Sequence, residues 1–506
     1  MYDAGLDNDK LVLLFLENQN AKIAVKTNGG LSNRVNIRNI IMQGTVWGSL
    51  MCTATMDKFG QHVYRNNALT YKYKGVVDTP SLGMVDDILC VQKCSSSSVR
   101  MNAAVNAFIE SKKLTLSSKK CHRIHVQNKK SKTEVQCLDL KVHEEKMHDS
   151  TKEKYLGDLI DSSGTIRKTI EERKNKGYGI ISEILAILED IPLGRYKMEI
   201  GLLLRQAMLL NGILFNSESW HSVSETEYRM LETVDEHLLR ALVKGHSKTP
   251  LEFLYLEAGV IPIRYIISSR RLIYHQMILQ RDENEITKKI YLAQKDDTTP
   301  GDFVELIEKD FKSINKEQDD LSITTTNRNL YKQHIKAKVK AAALDYLKEK
   351  QKQHSKIKHI QYNQLKTQKY MVSPVFSNEE VNLLYALRSR ATACRANFKQ
   401  KYIHTNILCT LCQVECDDQQ HILQCKVILD EYKSDDLAIT SATYDDIFSD
   451  DVLKQKEVTT LFLKLFSIRD KLIEEKTNPD DPSSTRLELD VSDNLLDCIV
   501  YSSPGK

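Results

Sequence analysis

The sequence predicts an α+β chain that turns almost wholly helical after its first third and ends in a small Cys/His cluster. Three observations carry this. Up to about residue 165, short apolar runs of strand length alternate with turn residues and with segments of helical spacing. From about 165 to 290, long amphipathic stretches such as 195–214 and 225–243 follow one another. Between Cys409 and Cys425, four cysteines and one histidine crowd together.

The elements follow in order. Residues 1–25 have a helical pattern that ends at the turn Asn28–Gly30. The next stretch, NIRNIIMQGTVWGSLMCTATMDKFG, starts strand-like and after Gly44 reads as a buried helix of small and apolar residues. Residues 71–93 read as a hairpin region. Residues 99–114 repeat apolar positions at helical spacing (Met101, Ala104, Val105, Phe108, Ile109). Residues 112–121 read as a strand ending in bases, and 116–126 and 155–160 as further short strands. Residues 300–370 are helical and rich in Lys and Gln. The Lys/Gln-rich stretch 331–369 reads as a nucleic-acid contact or a solvated helix; acids interrupt it and no aromatic stripe accompanies it, which favours the solvated face. The last 30 residues, with Asn-Pro-Asp-Asp-Pro-Ser-Ser, have the composition of a disordered tail.

The 506 residues suffice for several domains, and 41% hydrophobic with 28% charged residues is a globular composition. No run approaches the roughly 20 apolar residues of a membrane span. The start, MYDAGLDNDKLVLLF, carries early Asp residues and no basic n-region, so no secretory signal is expected. The expected setting is intracellular, nuclear or cytoplasmic. Eleven cysteines in such a chain are expected as reduced thiols or metal ligands. Between Asp430 and Lys506 stand 18 acids and 9 bases, a net of −9, which leaves +13 of the total +4 on residues 1–429. A basic body with an acidic tail suits a polyanionic partner, although solvated helix faces give the same count.

Two constellations could carry chemistry. Asp86 and Asp87 are flanked by Leu82, Met84, Val85, Ile88 and Leu89. An acidic turn would give this pattern. So would a divalent-cation site, because a cation removes the penalty of holding two neighbouring carboxylates among apolar residues; Mg²⁺ prefers such oxygens. The second is Cys409-x2-Cys412-x8-His421-x3-Cys425. The two-residue gap lets both thiolates face one ion, and His421 and Cys425 lie at i and i+4 on one helical face. Four soft donors suit a structural Zn²⁺, with Cys416 a rival ligand. Before the cluster, Arg388, Arg390, Arg395 and Lys399 punctuate an amphipathic stretch that could contact phosphate.

The order Gln43-Gly44, Asp86-Asp87, Lys120, Tyr155-Leu156-Gly157 resembles the palm of reverse transcriptases of non-LTR (LINE-type) retrotransposons. The resemblance implies a partial polymerase palm over 1–165 and a helical thumb and post-thumb over 166–290, carried further by Phe215–Trp220, Pro250–Gly259 and Arg270-Arg271. A basic helical linker over 291–380, an arginine-bearing helix with a CCHC knuckle over 381–430 and an acidic tail over 431–506 complete it. It implies RNA-directed DNA synthesis with Mg²⁺ and deoxynucleoside triphosphates, on an RNA template and a DNA primer or target. Gln43 and Gly44 would lie beside nucleotide and template. Asp86 and Asp87 would hold Mg²⁺, Lys120 would assist pyrophosphate departure, and Tyr155, Leu156 and Gly157 would grip the primer. The sequence departs from the family at Met84, where an aromatic is usual, and at Ser117, where Asn is usual. The family's third carboxylate comes from an earlier apolar strand with Asp and Ala-Phe-Asp. No such stretch precedes Gln43, so little polymerase activity is expected of this chain. The rival expectation is a non-catalytic nucleic-acid-binding remnant.

Overall fold

The computed structural model describes residues 7–18, 22–36, 48–65, 71–79, 81–84, 87–127, 138–190, 197–247, 249–314, 327–398, 407–434 and 442–476. The chain is an α+β mixture of many helices and small, two-stranded sheets; among the described residues all strand pairs are antiparallel except His122–Ile124 with His148–Ser150, which is parallel. It divides into two compact units: Met1–Lys168 with Ile278–Glu305, and Thr169–Met277 with Leu306–Lys506.

The first unit is built on two helices, Gly48–Arg65 and Ser95–Ser111. Phe59 and Val63 are one turn apart on the first; Met101, Phe108 and Ile109 share a face of the second. These five close a core in which the rings of Phe59 and Phe108 meet edge-on at 5.2 Å. Ile88, Cys90 and Leu116 pack against it, which seats the acidic hairpin on the helix pair. Truncating either phenylalanine to Ala would cost roughly 3–5 kcal/mol.

The stretch 71–93, read as one hairpin region, forms two hairpins: Tyr71–Tyr73 with Val77–Thr79, and Leu82–Met84 with Asp87–Leu89. The strand expected over 112–121 does not form. The helix stops as Lys113 turns to φ +53°, and Ser118–Lys120 wind into a 3₁₀ turn closed by Lys120 N–H on Ser117 O. The strand begins only at His122. Lys152–Tyr155 and Asp158–Asp161 pair around a two-residue turn, Leu156-Gly157, with φ of +47° and +93°. Both residues at positive φ is the turn that matches strand twist, and Gly157 takes it without strain.

The second unit is helical. Its helix Glu225–Val243 starts in a capping box, Ser224 with Glu227, and buries Leu231, Val234, Leu238, Leu239 and Leu242 along one face. Asp235, also on that face, receives both prongs of Arg205 at 2.6 and 2.7 Å and the Tyr255 hydroxyl at 2.9 Å. Leu251–Ala258 ends at Gly259 (φ +64°), where a Cβ would stand 2.0 Å from the backbone of Lys366 and Thr367. Only glycine permits that approach.

Two expectations change here. The arginine-bearing helix is Asn378–Arg388; it ends at Arg388, and Arg390 follows at φ +51°. The segment read as an acidic tail contains the 25-residue helix Val452–Lys476, which buries Val458, Phe462, Leu465, Ile468 and Ile473 and packs on Asn378–Arg388 and Lys426–Ser434. The helix itself carries six bases and four acids, so the acidic average of 430–506 comes from the segments on either side and concealed its apolar face. Residues 477–506 lie outside the described residues. Among the described residues, no helix is long and apolar enough to cross a membrane.

Candidate metal centre and acidic hairpin

Cys409, Cys412, His421 and Cys425 converge, with one donor atom from each lying within 4.8 Å of the others. The first two come from a tight turn in which Gln413 N–H bonds to Cys409 O, and Cys409 N–H to Glu415 O at 2.7 Å. His421 sits on the short helix Gln419–Ile422, capped by the Asp418 carboxylate accepting from His421 N–H at 2.8 Å. Cys425 follows in the turn before Lys426–Ser434, its N–H bonded to His421 O. The i, i+4 relation therefore holds through a turn and not along one continuous helix.

Cys409 Sγ and Cys425 Sγ are 3.9 Å apart, and Cys412 Sγ and His421 Nε2 are 3.3 Å apart. A tetrahedral zinc with bonds of about 2.3 Å to sulfur and about 2.0–2.1 Å to nitrogen sets donor–donor edges of roughly 3.4–3.8 Å. The group can hold a metal ion, and its donors suit zinc. Cys416 is exposed and is not one of the four. Burial works against the Cys412 thiolate, but backbone N–H groups of Glu415 and Val414 bring that thiol down to about 7. Burial holds Cys425 up at about 11.

A residue that no spacing rule selects completes this arrangement. Glu415 Oε2 lies 2.9 Å from His421 Nδ1. A proton held there on Nδ1 leaves the Nε2 lone pair facing the thiolates. Asp417, wholly buried, fixes the same loop. It accepts from Arg395 N–H at 3.0 Å and from Arg469 Nη2 at 3.0 and 3.3 Å.

The arginines before the cluster do not form a row facing solvent. Arg388 is 3% exposed; Nε and Nη2 bond to Glu257 at 2.9–3.2 Å, and Nη1 bonds to Ile447 O at 2.9 Å. Its expected phosphate contact is ruled out by that burial. Arg390 and Arg395 are half-buried, and Arg395 Nη1 lies 3.5 Å from Leu408 O. Lys399 lies outside the described residues.

In the first unit, Gln43, Gly44 and Asp86 also lie outside the described residues. Asp87 stands opposite Met84 at the hairpin end and is exposed, as are Leu82 and Met84. An exposed carboxylate pays no desolvation cost, so the burial argument for a cation does not apply to Asp87. The hairpin does meet the strand expected to grip a primer: Tyr155 donates its hydroxyl to Leu82 O at 3.2 Å. Burial, then the nearby Asp87 charge, pushes the Tyr155 phenol above its ordinary value. Leu156 and Gly157 form the turn beyond it, and Lys120 is exposed on its 3₁₀ turn. Compared with known proteins, the chain matches no family model and no curated relative.

Proposed function

We propose that this chain is the palm, thumb and zinc-knuckle portion of a non-LTR retrotransposon reverse transcriptase, binding an RNA template with a DNA primer. The observation that carries the reading is the Tyr155 hydroxyl on Leu82 O, next to Asp87. Two segments more than 70 residues apart in sequence, which the resemblance assigns to catalytic hairpin and primer grip, meet through this bond.

In this reading Asp86 and Asp87 hold Mg²⁺, which when bound activates the primer 3′ oxygen and stabilises the departing pyrophosphate. Gln43 and Gly44 border the incoming deoxynucleotide. Lys120 offers a proton to the pyrophosphate as the bond from the 3′ oxygen to the α-phosphorus forms. Tyr155, Leu156 and Gly157 hold the primer end. Cys409, Cys412, His421 and Cys425 form a closed structural zinc knuckle, with no position left for substrate. Such a protein works in the nucleus or cytoplasm, where thiols stay reduced.

A second reading, a nucleic-acid-binding remnant without chemistry, is favoured by the exposure of Asp87. Primer extension by the purified chain, with a labelled DNA primer on RNA, deoxynucleotides and Mg²⁺, separates the two. The enzyme reading predicts weak extension that Asp87→Asn abolishes. The remnant reading predicts binding without extension at any Mg²⁺ concentration. Failure to bind the primer–template would refute both.

A further inference from the structure

The helix Arg328–Gln351 carries a charge pattern that its own unit leaves uncompensated. Tyr331, Ile335, Val339, Ala343 and Leu347 are buried and anchor it to the core. Arg328, Lys332, Lys336 and Lys340 follow one another at intervals of four and are all exposed. Successive members of such a ridge stand about 6 Å apart along the axis. No acid occurs between Arg328 and Leu344. Among the described residues, Lys332, Lys336 and Lys340 have no ion pair, whereas Lys352, beyond the helix end, is held by Glu349 at 2.6 Å. Like charges four apart on a helix repel one another. A row of them without acids is stabilised by a polyanion laid along it.

We infer that this ridge is a docking surface for the phosphate backbone of duplex nucleic acid, bound without regard to sequence. The residues beside the lysines are short or polar (Gln333, Ala337, Ala341), so a backbone can approach closely. No aromatic side chain is exposed among them, which removes the stacking platform that single strands need. A membrane surface fits poorly, because an interfacial helix must turn its apolar face outward, and this one is buried in protein. The surface lies outside both the acidic hairpin and the metal centre, and the proposal stands without either.

The test is a salt titration of binding to a labelled 30-base-pair duplex of random sequence, read by fluorescence anisotropy. Each phosphate contact contributes about −0.9 to the slope of log Kobs against log salt. K332Q/K336Q/K340Q should therefore flatten the slope by about 2.7, and K336Q alone by about 0.9. K433Q/K454Q/K464Q removes the same charge from exposed positions elsewhere in the unit and should leave the slope near that of the parent. Circular dichroism checks that each variant keeps its helix content. Equal slopes for the two triple variants overturn the proposal, and so does a parent that binds no duplex. Lysine-dependent binding to phosphatidylserine vesicles, with lysine-independent binding to duplex, overturns it as well.

Discussion

Replacing Arg388 by Met removes one half of a buried ion pair. The guanidinium is 4% exposed and the Glu257 carboxylate 0%. Glu257 also accepts from Tyr362 and Tyr370, the latter at 2.6 Å, so after the substitution it keeps two phenols but loses its counter-charge. Ile447 O loses its 2.9 Å donor as well and is left with the longer contact from Gln455 Nε2 at 3.5 Å. The Arg388 guanidinium lies 5.7 Å from the ring centres of Tyr370 and Phe448, and that stacking disappears too. Stranding one charge of a buried pair costs about 3–5 kcal/mol, and this geometry belongs at that level. The terms overlap, so they do not sum. Urea unfolding of the helical unit, followed by circular dichroism, should show the midpoint falling with little change in slope. The double variant Arg388→Met with Glu257→Leu should regain only part of the loss: the apolar pair needs no counter-charge, but the buried Tyr362 and Tyr370 hydroxyls lose their acceptor. A loss below about 1 kcal/mol, or weakened nucleic-acid binding in a fully folded Arg388→Met, would refute the structural role and return Arg388 to the surface.

Other outcomes follow from the same packing. Glu415→Gln should lower zinc affinity about 10- to 100-fold, measured by competition with a chromophoric chelator, while the zinc content of the saturated protein stays at one per chain; an unchanged affinity would show that His421 needs no orienting partner. Cys94, exposed at the start of Ser95–Ser111, is hydrogen-bonded to the hydroxyls of Ser96 and then Ser97, which brings its thiol down to about 7, while burial lifts Cys90 to about 11. The thiolate is the nucleophile, so iodoacetamide should label Cys94 with a rate that rises through pH 7, and well before Cys90; mass spectrometry showing the reverse order would contradict the hydrogen-bonded placement.

Periodicity and spacing were informative wherever a local rule governs. The 3.6-residue repeat of Met101, Ala104, Val105, Phe108 and Ile109 marks a helix because one face must be buried, and it is. The Cys-x2-Cys and His-x3-Cys gaps mark a group that can hold a metal ion because short loops fix the donor distances before any tertiary contact forms. Lys113 and Ser117-Ser118 were misread because turn chemistry overrode apolar alternation over a few residues.

Tertiary structure decided what depends on distant partners. Arg388 looks like any surface arginine until Glu257, 131 residues away, takes it inside. Asp87 looks buried by its neighbours, yet a two-stranded hairpin leaves it in solvent. Glu415 becomes the orienter of His421 only when the loop closes. The sequence by itself determined the α+β character, the four candidate metal donors and the helix on which the basic ridge runs, because each rests on spacing over a short stretch of chain. Whether a given charge faces solvent, a counter-ion or a ligand was settled by packing, because desolvation depends on everything that surrounds the group and not on its place in the chain.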